Sequence, residues 1–318
     1  MHVAITGAAG FVGSHLCEAL AAAGHQVTGI DCLSPYYSTE LKQLNVRDIC
    51  RAGVTFHQLD LAEDDLTDTL KDVEVIFHLA AQPGISATTL FEDYLRNNII
   101  ATQRLLEAAQ QLDSLECFIN IATSSVYGKH ATDPEDTAPK PTSHYGVTKL
   151  TAEQLVMARC RDEGFPACSL RLFSVYGERE RPEKLYPKLI HSILADQPFP
   201  LFEGSKEHSR SFTYVGDIVK GFMAVMDNLS KARGEIFNIG SDVEITTGEG
   251  MAIVEEALGK KAEIDHQPPR PGDQLRTHAD ITKAREILGY QPETEPREGL
   301  AREVEWYRDR IFGKIQVY

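Results

Sequence analysis

From His2 to Leu172 the sequence alternates short β-rich runs with long helical patterns, and that alternation leaves few folds open. The strand candidates are His2–Thr6, Gln26–Asp31, Val54–Leu59, Val75–Leu79, Cys117–Ala122 and Ala167–Leu172, and helical patterns cover Gly13–Ala23, Asp93–Leu112 and Tyr145–Glu163. Strand, helix and strand in repetition predict a parallel sheet with helices on both faces. Several of the strands are apolar almost throughout, as suits a strand that meets water on neither face. After Leu172 the rhythm changes. Prolines at Pro182, Pro187, Pro198 and Pro200, and later at Pro268, Pro269 and Pro271, mark loops and short elements. Phe212–Val215 and Ile236–Ile239 still read as strands, so the chain is expected to return to the sheet before leaving it again. The expected fold is α/β, a doubly wound parallel sheet with a smaller, discontinuous C-terminal lobe.

The turn after the first strand, Gly7-Ala8-Ala9-Gly10-Phe11-Val12-Gly13, opens the first helix. Glycines there let the backbone turn tightly and approach a pyrophosphate, while the helix N-terminus offers N–H donors and a positive dipole end. A glycine triplet alone is weak, because glycine also simply makes turns; its position between strand and helix makes it a Rossmann-type cofactor loop. Asp31 closes the second strand, where a carboxylate accepts the hydroxyls of an adenosine ribose and repels a 2′-phosphate. No Arg or Lys follows until Lys42, so NAD is expected rather than NADP. Asp60-Leu61 ends the third strand and Leu79-Ala80-Ala81-Gln82 the fourth, both on the carboxyl edge of the sheet where such folds bind ligands. The fold assignment is therefore a Rossmann domain over residues 1–172, with return segments near 211–240. The second lobe is assigned to 173–210 and 241–318.

Tyr145-Gly146-Val147-Thr148-Lys149 sets a phenol and an ammonium one turn apart on one helical face. A phenol is a poor base with its ordinary pKa of about 10, and a fixed cation nearby favours the phenolate. The same spacing also arises on plain exposed helices. Thr123-Ser124-Ser125 follows the fifth strand and offers hydroxyls on the same sheet edge, or simply a Ser/Thr-rich turn.

With these motifs the chain resembles the extended short-chain dehydrogenase/reductases, specifically the nucleotide-sugar epimerases and dehydratases. The likeness runs nearly end to end: the glycine loop, Asp31, Asp60-Leu61, His78 to Gln82, Asn98, the Thr123 turn, Tyr145 with Lys149, Arg171 to Gly177, Arg210 to Val215, Asn238-Ile239-Gly240 and Pro271-Gly272-Asp273. The resemblance implies a 4-keto mechanism on a UDP-sugar, with Thr123, Tyr145 and Lys149 catalytic. It implies NAD contacts from Gly7, Gly10, Phe11, Val12, Gly13, Asp31, Asp60, Leu61, Leu79, Ala80, Ala81, Gln82, Asn98, Tyr145 and Lys149. It implies substrate contacts from Ser124, Ser125, Ser174, Arg181, Arg210, Arg270 and Asp273, with Arg210 and Arg270 on the diphosphate and Asp273 near the nucleotide ribose.

Dehydratases of this kind carry Asp-Glu after the threonine, and decarboxylating relatives a Glu before Val-Tyr-Gly. Here those positions are Ser124 and Ser125, so epimerisation without elimination is expected. Gly177 to Glu183 resembles the UDP-glucuronate 4-epimerases, in which Arg181 would hold the sugar carboxylate. Two departures stand out: Glu178-Arg179-Glu180 replaces Pro-Trp-Gly, and Ser86 replaces Arg. The alternatives are a UDP-glucose/galactose 4-epimerase, another nucleotide-sugar oxidoreductase or, more distantly, a non-catalytic NAD-sensing protein.

A formal charge of -15 disfavours nucleic acid and anionic membranes as partners. Cys17, Cys32, Cys50, Cys117, Cys160 and Cys168 show no paired metal spacing, and no metal is expected. The opening Met1-His2-Val3-Ala4-Ile5 has no basic leader pattern and no run is long enough for a bilayer, so a reducing cytoplasm is expected. The resemblance implies a homodimer through the Asp93–Leu112 and Tyr145–Glu163 helices, with Leu150, Leu155 and Val156 as a further apolar stripe.

Overall fold

A computed structural model of the chain describes residues 1–84, 88–269 and 274–317. Seven strands form one sheet: β1 His2–Thr6, β2 Gln26–Asp31, β3 Thr55–Gln58, β4 Val75–His78, β5 Cys117–Thr123, β6 Ala167–Leu172 and β7 Ile236–Ile239. Their spatial order is β7-β6-β5-β4-β1-β2-β3, and every neighbouring pair is parallel. The order reverses between β1 and β4, which opens a crevice at their carboxyl ends. Helices α1 Phe11–Ala22 and α2 Thr39–Arg51 follow β1 and β2. Helix α3 spans 91–109 and contains a π-turn over Leu95–Ile100, and α4 covers His144–Glu163.

Side chains of β1 divide between two cores as the period of a strand requires. Val3 and Ile5 pack with Leu16, Cys17 and Leu20 of α1, whereas Ala4 joins Leu105 and Leu106 of α3 and Val156 of α4 on the opposite face. Every residue of β4 and β5 is buried, so their apolar character follows from having helices on both sides.

Beyond β6 the chain forms more helix than its prolines suggest: α5 Leu185–Leu194, α6 Val215–Met226, α7 Thr247–Leu258, α8 Thr282–Leu288 and α9 Pro296–Trp306. Pro296 sits at the start of α9, where a missing N–H costs nothing. Helix α7 opens with a capping box between Thr246 and Glu249 and ends on left-handed Gly259. A third core joins Tyr186, Leu189 and Ile190 to Met251, Val254, Leu300 and Val304. Helix α6 packs on α1 and leads the chain back to the sheet as β7. The expected strand at Phe212–Val215 does not join that sheet. Only Thr213–Tyr214 is extended, paired with Val175–Tyr176, because α6 begins at Val215. No helix among the described residues is long and apolar enough to cross a membrane.

Candidate active site

A cavity of about 660 Å³ runs from the glycine loop, past the carboxyl ends of β1, β4 and β5, into the C-terminal lobe. Gly7 has φ +73°, and a Cβ there would come within 2.8 Å of the Ala80 amide nitrogen. A Cβ on Gly13 would meet the Gly7 carbonyl at 2.2 Å, so α1 can close on the loop only because that residue is glycine. Helix α1 is capped by Gly10 with no side-chain hydrogen bond, which leaves its N-terminus to an anion. Gly7, Gly10, Phe11, Val12 and Gly13 all line the cavity. Asp31 stands across from them, accepting the Ala9 amide at 3.1 Å and the Leu33 amide at 2.8 Å. Burial pushes its carboxyl up, against the pull of Lys42 and those two amides. This cradle of backbone around a carboxylate fits a dinucleotide such as NAD.

Asp60, Leu61, Leu79, Ala80, Ala81 and Gln82 form the floor. Asp60 is held by Arg96 Nη2 at 2.8 Å. Asn98 differs from expectation. Its Oδ1 accepts the Gln82 amide at 2.7 Å and its Nδ2 donates to Thr148 Oγ1 at 3.0 Å, so both ends are spent behind the wall. Asn97 faces the cavity instead. The π-turn of α3 turns Asn98 inward, as such one-residue insertions often do near sites.

Thr123 ends β5 in extended conformation, and its Oγ1 accepts the Ser125 amide at 3.2 Å. The Tyr145 side chain lines the same cavity as Thr123. Burial raises the phenol above its ordinary value, while the Thr123 side chain and the Arg181 charge pull it down. Lys149 lies one turn further along α4 and is pushed down to about 8 by burial, with Glu153 pulling the other way. Glu153 in turn is fixed by Arg171 of β6 at 2.7 Å, a pair that is 0% and 2% exposed.

Ser124, Ser125, Ser174, Arg181 and Arg210 all line the cavity. Ser174 adopts φ 25°. Arg181 Nη1 donates to Glu183 Oε1 at 2.6 Å, and a Cβ on Gly84 would come within 3.0 Å of its Nη2. Arg210 Nη2 donates to the Gln274 carbonyl at 2.8 Å. Arg270, Asp273 and Ser86 lie outside the described residues.

The cavity also takes in residues that the sequence did not assign to a site, among them Tyr36, Lys184 and Phe199, and with them Lys42 and Glu180. Lys42 is remote from Asp31 in sequence, yet α2 folds it back so that its Nζ donates to the Ser34 carbonyl at 2.7 Å beside the same carboxylate. No local pattern marks such residues, because the helix–loop path that gathers them is set by packing. Among the described residues no cluster of three His, Cys, Asp or Glu side chains is arranged for a metal ion.

Residues 3–240 match the family described as the NAD dependent epimerase/dehydratase family, and the chain belongs to that family. More particularly, it is 40% identical over 309 residues to the uncharacterised UDP-glucose epimerase YtcB of Bacillus subtilis (strain 168), across 96% of this chain and 97% of that one. It is 33% identical over 326 residues to UDP-glucuronate 4-epimerase 2 of Arabidopsis thaliana, across 96% of this chain and 75% of the plant protein. Its structure is similar to that of UDP-glucuronic acid 4-epimerase from Bacillus cereus in complex with UDP-glucuronic acid and NAD, with a TM-score of 0.92 and 36% identity across 97% of this chain and 99% of that chain.

Proposed function

We propose that this protein is an NAD-dependent 4-epimerase that interconverts UDP-glucuronate and UDP-galacturonate through a 4-keto sugar. The observation that carries the reading is one cavity lined together by the glycine loop, Thr123, Tyr145, Lys149 and Arg181. NAD supplies a hydride acceptor that serves as hydride donor in the return step. Tyr145 takes the proton of the sugar 4-hydroxyl as C4 is oxidised and gives it back when the ketone is reduced from the opposite face. Thr123 orients that hydroxyl. Lys149 holds the nicotinamide ribose. Ser124 and Ser125 offer no carboxyl for elimination, which favours epimerisation over dehydration.

Arg181 meets the C6 carboxylate through its planar fork, a geometry suited to two charge-assisted hydrogen bonds. Arg210 and Arg270 are the diphosphate contacts of this reading and Asp273 the ribose contact. Residues 1–172 with the return near 211–240 hold the cofactor, and 173–210 with 241–318 hold the nucleotide sugar. The protein works as a homodimer in a reducing cytoplasm; six free cysteines support the compartment, and exposed apolar residues on α3 support the dimer.

Arg181→Ala tests the sugar. Loss of a charge-assisted hydrogen bond costs about 1.5–3 kcal/mol, hence roughly one to two decades in kcat/KM on UDP-glucuronate, with little change on UDP-glucose. Equal losses on the two substrates would move the assignment to a neutral-sugar epimerase, the activity in the name of the Bacillus subtilis relative.

A further inference from the structure

The tripeptide Glu178-Arg179-Glu180, which stands where similar sequences carry Pro-Trp-Gly, forms a seam between the two lobes. The Glu178 carbonyl accepts His15 Nε2–H at 2.8 Å, and its carboxylate accepts the Tyr214 hydroxyl at 2.9 and 3.0 Å. Arg179 Nη2 donates to Glu18 Oε1 at 2.8 Å and lies 3.7 Å from Asp48 Oδ2. Asp48 also receives Arg310 Nη2 at 3.0 Å, so the segment after α9 is tied to the same carboxylate. His15 and Glu18 lie one turn apart on one face of α1, the helix that opens from the glycine loop. Arg179 holds φ 71°, a left-handed conformation that a non-glycine residue keeps only when its surroundings enforce it. Its side chain is 10% exposed and that of Glu18 33%, so the ion pair is partly shielded from water and from salt.

We propose that Arg179 is a positioning residue, pinning the loop that carries Arg181 to the flank of the cofactor-binding helix and so fixing the Arg181 guanidinium relative to Tyr145. The proposal rests on the uronate reading above. Among the described residues Arg181 pairs with the exposed Glu183 and stacks over the Tyr36 ring at 5.6 Å; an exposed carboxylate and a ring face fix a guanidinium loosely, so its place depends also on where its backbone is held. The glycine loop and Arg181 then move as one body. A poorly held carboxylate has a chemical signature. The 4-keto uronate is a β-keto acid, and it loses CO₂ when the C5–C6 bond aligns with the ketone. The electron pair of that bond forms an enolate across C4 and C5, which takes a proton at C5. In sum, UDP-glucuronate and NAD⁺ give UDP-4-keto-pentose, CO₂ and NADH.

The test compares Arg179→Ala, Arg179→Lys, Glu18→Gln and Arg181→Ala in the full-length enzyme with its bound cofactor. Steady-state kinetics on UDP-glucuronate and UDP-glucose are read together with bound NAD, NADH absorbance and melting temperature. Arg179→Ala is expected to raise KM for UDP-glucuronate about tenfold, the size of one charge-assisted hydrogen bond. KM for UDP-glucose and the NAD content of the enzyme before turnover should stay unchanged, and during turnover of UDP-glucuronate UDP-4-keto-pentose and NADH should accumulate together at the expense of NAD⁺. Arg179→Lys should recover part of the loss; Glu18→Gln, a milder change, should repeat it in weaker form and add nothing to Arg179→Ala. A lower melting temperature with an unchanged ratio of the two KM values would reduce the seam to a structural role and overturn the proposal. A selective Arg181→Ala beside an unaffected Arg179→Ala would overturn the brace while leaving the uronate reading standing. An unselective Arg181→Ala would overturn that reading and the proposal with it.

Discussion

At Tyr145 the cost of burial opposes the chemistry the residue is proposed to perform. Its ring packs near Tyr94, with centroids 6.4 Å apart, and burial raises the phenol beyond its ordinary value despite Thr123 and Arg181. Proton abstraction therefore gains from rising pH, while Lys149, held down to about 8, loses its charge as the pH climbs. The two opposing trends predict a kcat/KM profile that rises from neutral pH and levels off beyond about pH 8, where the loss of the Lys149 charge offsets the gain in phenolate. Tyr145→Phe should remove at least about two decades of turnover, the lower range for general acid–base catalysis, while bound NAD stays near its wild-type level because only one hydroxyl is lost. Near-normal kcat in the Phe variant would assign the base elsewhere. At this scale much was legible in the sequence. The glycine turn, Asp31 and the Tyr145–Lys149 spacing each depend on a few neighbouring residues. The contact between Arg181 and Glu183 is equally local, but no spacing rule says whether such a pair faces a cavity or water.

The elements of the wound sheet announce themselves through periodicity, and those of the lobe do not. Strands β4 and β5 are buried along their whole length, so an uninterrupted apolar run marks them. The π-turn in α3 has no such signature, since one added residue leaves the apolar pattern nearly intact while turning Asn98 away from the cavity. In the lobe, α9 buries a carboxyl group that pattern reading cannot foresee. Glu303 is 1% exposed, and neither carboxyl oxygen has a hydrogen-bond partner among the described residues, as is also true of the Tyr176 and Tyr186 hydroxyls nearby. Burial first, then the charges of Glu180 and Glu178, push Glu303 well above the usual carboxylate range. Burial likewise brings Glu180 up to about 7, against the pull of Lys184. Both folded values exceed the unfolded ones, so the folded state retains protons that the unfolded chain releases. The stability contributed by these groups is complete below the ordinary glutamate pKa of about 4.3. It is lost as pH rises through the folded values, near 7 for Glu180. Glu303→Gln keeps the shape and stays neutral, so its melting temperature should gain on the wild type as pH is raised from about 5 to about 9. The gain should reach a few degrees, since each kcal/mol is worth about 2–4 °C in domains of moderate size. A constant difference across that range would mean that Glu303 is already ionised in the fold.

For the whole molecule the open question is what covers the outer faces of α3 and α4. The stripe expected on α4 turns out to face largely inward: Val156 is in the core, and Leu150 and Leu155 pack against it. The exposed apolar residues are instead Leu90 at 65%, Phe91 at 42%, Leu95 at 37% and Ile100 at 44%, at the start of or just before α3, joined on α4 by Val147 at 44%. Leu90 and Phe91 lie ahead of the π-turn, and Leu95 and Ile100 are its first and last residues. Two such helix pairs related by a twofold axis form a four-helix bundle in which each apolar patch covers the other. Stable interfaces of this kind bury about 800 Å² on each partner. Val147 lies between Tyr145 and Lys149 in sequence but is exposed where Lys149 is buried, so dimerisation would stiffen the helix that carries the proposed catalytic pair. Each copy carries a formal charge of -15, which opposes association at long range and is screened by salt over a Debye length of about 8 Å at physiological ionic strength. The dimer held by apolar contact should therefore tighten, not loosen, as salt is added. Light scattering at micromolar concentration should give twice the chain mass. Leu95→Glu combined with Ile100→Glu should yield a monomer with a lower melting temperature and reduced kcat. A monomeric wild type, or a dimer that the paired substitution leaves intact, would remove this face from the interface and leave its exposed residues to another partner.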